Sequence, residues 1–170
     1  MAGLKLEIVQ EQPFSSMEEE ALLNLMRTAD MMHRAFHRKT RDWGVTSTQY
    51  NVLRILRGAQ PLGLTCSAIG TRMITAEPDI TRLLSRLKTL RFVRQQRDRH
   101  DRRVVWTQIS KTGLQLLKEM DPVIQQLPVE LLGQLSKTEQ MEFIRLLELA
   151  RDGSEDGMAP VSCSGDRCKN

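Results

Sequence analysis

The chain has 170 residues, of which 40% are hydrophobic and only 4% aromatic, and it carries a formal net charge of +4. That length suits one cored domain with room for an oligomerisation element, and a leucine- and methionine-rich mixture poor in aromatics favours helices over a sandwich or barrel. No apolar run is long enough to span a bilayer, and the opening MAGLKLEIVQEQPFSSMEEE lacks the basic start and apolar core of a secretory signal, so a cytoplasmic protein with no membrane partner is expected.

Residues 1–14 have no clean periodicity and read as an extended or loosely ordered arm. From Ser15 apolar residues recur at spacings of three and four (Met17, Ala21, Leu22, Leu25, Met26, Ala29, Met32, Phe36), with Ser16 as N-cap, acids in the first turn and Arg38, Lys39 and Arg41 at the far end. A helix this long needs a partner surface for its stripe. Trp43-Gly44 breaks the pattern, and Thr46-x-x-Gln49 has capping-box spacing for the helix holding Tyr50, Val52, Leu53, Ile55 and Leu56. A turn spans 58–63. Thr65 then caps a short helix, CSAIGTRM, and Pro78 is expected in the first turn of the next, DITRLLSRLKTL.

After Leu90 the period switches from 3.6 to 2. Phe92–Arg97 and Val104–Ile109 read as strands of a hairpin whose tip is DRHDRR. Ser110 caps a long helix in which Pro122 and Pro128 are expected to cause a bend or an interruption. Ser136-x-x-Glu139 is a second capping box, opening the last helix. The final segment, 153–170, reads as a flexible tail. Cys66, Cys163 and Cys168 have no framework or zinc-site spacing, so reduced thiols, no metal and no cofactor are expected.

Residues 65–112 hold eleven Lys/Arg against four acids, a net of +7, which leaves −3 for the rest of the chain. One section thus carries the whole positive excess, as a surface meeting phosphates would. The order helix, helix, short break, helix, hairpin is that of a winged helix-turn-helix. The fold class expected is mostly α with a small β-hairpin. A DNA-binding lobe over 43–112 is joined to a helical dimerisation region formed by 15–42 and 113–152, whose apolar stripes the small central lobe cannot cover.

In this reading the third helix of the lobe enters the major groove, with Arg82 and Arg86 one turn apart and small Thr81 and Ser85 beside them. Asp79 is placed to cap that helix, orient an arginine or accept from cytosine. An arginine-rich hairpin tip is too costly to bury, and it suits the negative potential of a narrow minor groove. The face expected against double-stranded DNA comprises Ser67, Thr75, Asp79, Thr81, Arg82, Ser85, Arg86, Arg97, Arg99, His100, Arg102 and Arg103. Asp98 and Asp101 organise the wing, Asp101 by pairing with Arg103.

The segment LTCSAIGTRMITAEPDITRLLSRLKTLRFVRQQRDRHDRRVVWTQISKTGLQLL resembles the MarR family of bacterial transcriptional regulators. The likeness lies in the TRLLSRL helix, the D-x-x-D-R-R wing, the Ile-Ser-Lys-x-Gly start of the following helix, and VTSTQYNVLRIL upstream. It covers roughly residues 20–150. The family usually has glycine just after the recognition helix where this chain has Arg91, so a reshaped or slightly strained helix end is expected. The resemblance implies a homodimer on a pseudo-palindromic operator, acting as a repressor until a ligand or oxidant releases it.

Met32, His33, Phe36 and Trp43 are candidates to line a pocket for a small aromatic or phenolic ligand. Cys66, at the start of a short helix, is the candidate for a thiol-based redox-sensing regulator. His33 and His37 share a helix face, but no acid at a suitable offset supports a metal, and an interface role fits them better. No phosphate loop, nucleophile elbow or acid/base pair marks an enzyme. A winged-helix protein–protein interaction module remains the other alternative.

Overall fold

The computed structural model describes residues 3–153, comprising α1 (Leu4–Glu7), α2 (Met17–Arg41), α3 (Ser47–Gly58), α4 (Cys66–Gly70), α5 (Ile80–Thr89), β1 (Val93–Arg97), β2 (Val105–Ile109), α6 (Lys111–Leu132) and α7 (Lys137–Asp152). Most of the expected tail, with Cys163 and Cys168, lies outside the described residues. None of the described helices is long and apolar enough to cross a membrane.

Local chemistry sets most element starts. Ser16, Thr46, Thr65, Asp79, Ser110 and Ser136 each turn a side-chain oxygen onto a backbone N–H in the first turn of the helix they precede. At Thr46 and Ser136 the capping box closes reciprocally, with Gln49 and Glu139 accepting from the cap residue's own N–H. Such caps satisfy amides that the helix itself leaves without partners.

Four expectations need correction. The arm is not extended throughout, because residues 4–7 form α1 and Leu4 is buried. α4 stops at Gly70, with Thr71 and Arg72 in a turn and Met73 outside any helix. Pro78 precedes α5 instead of starting it, since Asp79 takes the cap position. Pro122 and Pro128 do not interrupt α6, which runs through both. Each proline forfeits a helical hydrogen bond, but both rings face outward, and Leu116, Leu117, Met120, Ile124 and Leu127 stay buried along the opposite side. Burial of that row outweighs the proline penalty of roughly 3 kcal/mol or more each.

One core unites the central lobe. Val52, Leu53 and Leu56 of α3, Ile69 of α4, Leu84 and Leu87 of α5, Val93 of β1 and Ile109 of β2 meet Leu117 and Met120 of α6. The strands pair antiparallel from Val93↔Ile109 to Arg97↔Val105, and Leu64 adds a single bridge to Thr107. Gly113 allows the start of α6 to lie against the hairpin, since a Cβ there would collide with the Phe92 carbonyl and the Ile109 side chain. That close approach is the physical reason for glycine in the Ile-Ser-Lys-x-Gly run. Arg57–Asp121 (2.6 Å) ties α3 to α6, and Lys39–Glu130 (3.0 Å) ties α2 to α6.

The end of α5 is a Schellman motif. The Phe92 N–H donates to the Leu87 carbonyl (3.0 Å) and the Arg91 N–H to the Lys88 carbonyl (2.9 Å), which puts Arg91 in the left-handed region at φ 61°. The helix end therefore keeps the shape glycine would give it, at the conformational cost of a Cβ. Arg91→Gly is expected to stabilise the protein by about 1 kcal/mol, read as a higher urea midpoint with an unchanged slope. A lower midpoint would mean that the arginine side chain contributes more than its backbone costs.

Candidate nucleic-acid interface

α5 divides into two faces. Ile80, Leu83, Leu84 and Leu87 enter the core, while Thr81, Arg82, Ser85, Arg86 and Lys88 are exposed. Asp79 Oδ1 accepts the Arg82 N–H at 2.8 Å, which makes it the N-cap of α5. Ser67 is exposed on α4 with its hydroxyl 3.1 Å from that of Thr65, and Thr81 Oγ1 lies 3.8 Å from the half-buried Cys66 sulfur. Thr75 is exposed in the connection before α5, where it lines an apolar cleft against α2 and α3.

The wing is organised by its first aspartate more than by its second. Asp98 Oδ1 accepts the backbone N–H groups of His100 (2.8 Å) and Asp101 (3.1 Å), and Oδ2 accepts the indole N–H of Trp106 (3.0 Å). Asp101 Oδ1 accepts the Arg103 backbone N–H at 2.9 Å. The expected Asp101–Arg103 side-chain ion pair is absent, because a two-residue separation in this turn brings the amide, not the guanidinium, onto the carboxylate. Asp98 thus holds two backbone amides and the Trp106 indole, and Asp101 one backbone amide. Among the described residues Arg82, Arg86, Arg99, Arg102 and Arg103 have no acidic partner, whereas Arg34, Arg57 and Arg145 are paired.

Hydrogen bonds from His100, then Asp101, then the Trp106 indole hold the Asp98 carboxyl below its ordinary value. A depressed carboxyl stabilises the structure above its unfolded pKa and loses that effect only as pH falls through the folded one. The turn should therefore stay formed at and somewhat below pH about 4, the ordinary aspartate value. Trp106→Phe removes one donor and leaves the strand pairing. Faster exchange of the His100 and Asp101 amides is expected, with DNA affinity lower by roughly threefold to tenfold. Unchanged amide exchange would dismiss Trp106 as an organiser of the wing.

Two of the clefts that border α2 hold the candidate site residues. The apolar one, about 270 Å³, is walled by Met32, His33 and Phe36 of α2, Tyr50 and Arg54 of α3, and Ile74 and Thr75. Trp43, expected here, instead packs against the core from the turn that follows α2. Tyr50 and Arg54 were not anticipated, although a tyrosine and an arginine at i, i+4 on a helix is a readable signal. The Arg54 guanidinium lies 5.9 Å from the centroid of the Tyr50 ring, whose centroid is 5.6 Å from that of Phe36. Burial pushes the Tyr50 phenol above its ordinary value, and Arg54 opposes the shift. The other cleft, about 520 Å³, is more polar and lies between His33 and His37 of α2 and Arg82 and Arg86 of α5. Among the described residues no group of three or more His, Cys, Asp or Glu is arranged to hold a metal.

Comparison with known proteins agrees with this geometry. A family profile described as MarR family matches residues 43–104, which run from the turn before α3 to the wing. A MarR transcription factor of known structure from Planctomyces limnophilus is 38% identical, covering 81% of this chain and 99% of its own, with a TM-score of 0.63. The uncharacterized HTH-type transcriptional regulator YkoM of Bacillus subtilis is 27% identical over 146 residues, 81% of this chain and 90% of that protein. Sco3205 of Streptomyces coelicolor, a MarR family regulator solved in complex with DNA, shares the fold at a TM-score of 0.75 and 16% identity, over 89% of this chain and 98% of its own. With its recognition-helix and wing elements in place and a relative of that identity along its length, the chain belongs to the MarR family of transcriptional regulators.

Proposed function

We propose that this DNA-binding transcriptional regulator is a homodimeric repressor of a pseudo-palindromic operator, with α5 in the major groove and the wing in the adjacent minor groove. The observation that carries the reading is the set of arginines on α5 and the wing tip without acidic partners among the described residues, while Asp98 holds the His100 and Asp101 amides and the Trp106 indole and Asp101 Oδ1 holds the Arg103 amide. Exposed cations held on a preorganised turn attract phosphates without first breaking an internal ion pair.

The dimer is supported by what one chain leaves uncovered. α7 buries no residue, and its Met141, Ile144, Leu146 and Leu149 are exposed together with Leu22, Leu25 and Met26 of α2. Two copies joined there would set their recognition helices about one DNA turn apart, roughly 34–36 Å. The apolar cleft between α2 and α3 is the proposed seat of a small aromatic or phenolic ligand. A ligand that prefers one spacing of the two lobes shifts the population away from the DNA-competent one.

Footprinting on the DNA flanking the protein's own gene tests the reading, with an inverted repeat expected under the protected region. Affinity should fall steeply with salt, and Arg102→Ala should reduce the log–log slope by about 0.9 for each phosphate the wing no longer neutralises, counted once per protomer. A slope unchanged in that variant would remove the wing from the interface. Binding with no salt dependence would favour a protein–protein module.

A further inference from the structure

The polar cleft adjoins the proposed ligand seat, with His33, Ser47 and Thr48 as a common wall. On one side Arg82 and Arg86 stand one helical turn apart on α5; on the other His33 and His37 stand one turn apart on α2. None of these four side chains has a hydrogen-bond or ion-pair partner among the described residues. Glu77 and Asp79 occupy the same rim, and Asp79 already has one oxygen on the Arg82 amide.

We propose that this cleft takes a small dianion, a phosphate monoester or a dicarboxylate, chelated by the two guanidinium groups from α5 and by imidazole N–H groups from α2. Two guanidinium forks at i, i+4 suit an oxyanion that can accept from both, and charge-assisted bonds of this kind are roughly twice as strong as neutral ones. The two carboxylates on the rim offset the arginines' charge. Affinity therefore comes from chelation, and monoanions such as chloride gain little. A cation is disfavoured because no metal-holding group of side chains is present among the described residues.

The consequence is regulatory and rests on the proposal that Arg82 and Arg86 meet DNA. One guanidinium cannot direct the same N–H groups at a cleft anion and at a base or phosphate, so dianion and operator compete. By linkage each weakens the other by the same factor.

Inorganic phosphate and succinate serve as probes, titrated by calorimetry into the full-length protein and then into the protein–operator complex, with ionic strength held constant by chloride. Binding of at least one dianion to the free protein is expected, with operator affinity lowered beyond the chloride control. Which probe binds decides between a phosphate and a dicarboxylate source. His37→Phe, on the α2 wall and away from the proposed DNA face, should keep operator affinity and weaken dianion binding by about tenfold. Arg86→Ala should weaken both. The proposal is overturned if neither probe binds the wild-type protein, or if binding is indifferent to both substitutions. If Arg86→Ala abolishes dianion binding and leaves operator affinity intact, the cleft stands and the DNA role of Arg86 falls instead.

Discussion

Ile144→Asp combined with Leu149→Asp is expected to yield a folded monomer with most of its operator affinity gone. Both side chains lie on α7, where they are 55% and 59% exposed in the single chain, so a carboxylate at either position can reach water. In the proposed dimer the same positions are covered, and symmetry places four unpaired charges in one apolar interface. Desolvating an unpaired carboxylate costs several kcal/mol, and four of them would oppose association. Sedimentation should then report the single-chain mass of 19.5 kDa, with helical circular dichroism retained. Without the second half-site, operator affinity should fall by on the order of 10²–10⁴, the usual gain from linking two sites. A wild-type protein that itself sediments at the single-chain mass would sink the dimer, and with it the palindromic operator.

Arg82→Ala and Arg86→Ala should have the next largest effect, and of a different kind. Both residues are exposed on α5, and their shortening leaves Leu83, Leu84 and Leu87 in the core, so stability should change little. If either arginine contacts guanine with both guanidinium nitrogens, its removal costs about 1–3 kcal/mol per half-site and relaxes preference at that base pair. In a dimer this cost enters twice. Competition between operators altered at single positions separates the outcomes: local relaxation of discrimination supports base reading, and uniform weakening would place the arginine on a phosphate. Full wild-type discrimination in both variants would exclude α5 from the groove.

Ser16, Thr46 with Gln49, Thr65, Ser110, and Ser136 with Glu139 all cap the helices that the sequence assigns to them, and the hairpin closes around DRHDRR in the expected place. Those features were legible because each is fixed within about four residues, by an oxygen meeting a nearby amide or by a change of hydrophobic period. The amino-acid order likewise determined the split of α5 into a buried row and a cationic row, since a spacing of three and four admits one arrangement in a helix.

Other features depended on partners far away in the chain. Leu4 is buried although its flanking residues show no period, and Trp43 packs against the core instead of lining the cleft. Pro122 and Pro128 remain inside α6 because the row of side chains behind them is buried against other elements. Trp106 reaches Asp98 across the hairpin, and Tyr50 and Arg54 meet α2 to wall a cleft. Local rules compare a residue only with its neighbours in sequence. Burial and cross-strand hydrogen bonds are settled by surfaces that come together only once the whole core has closed.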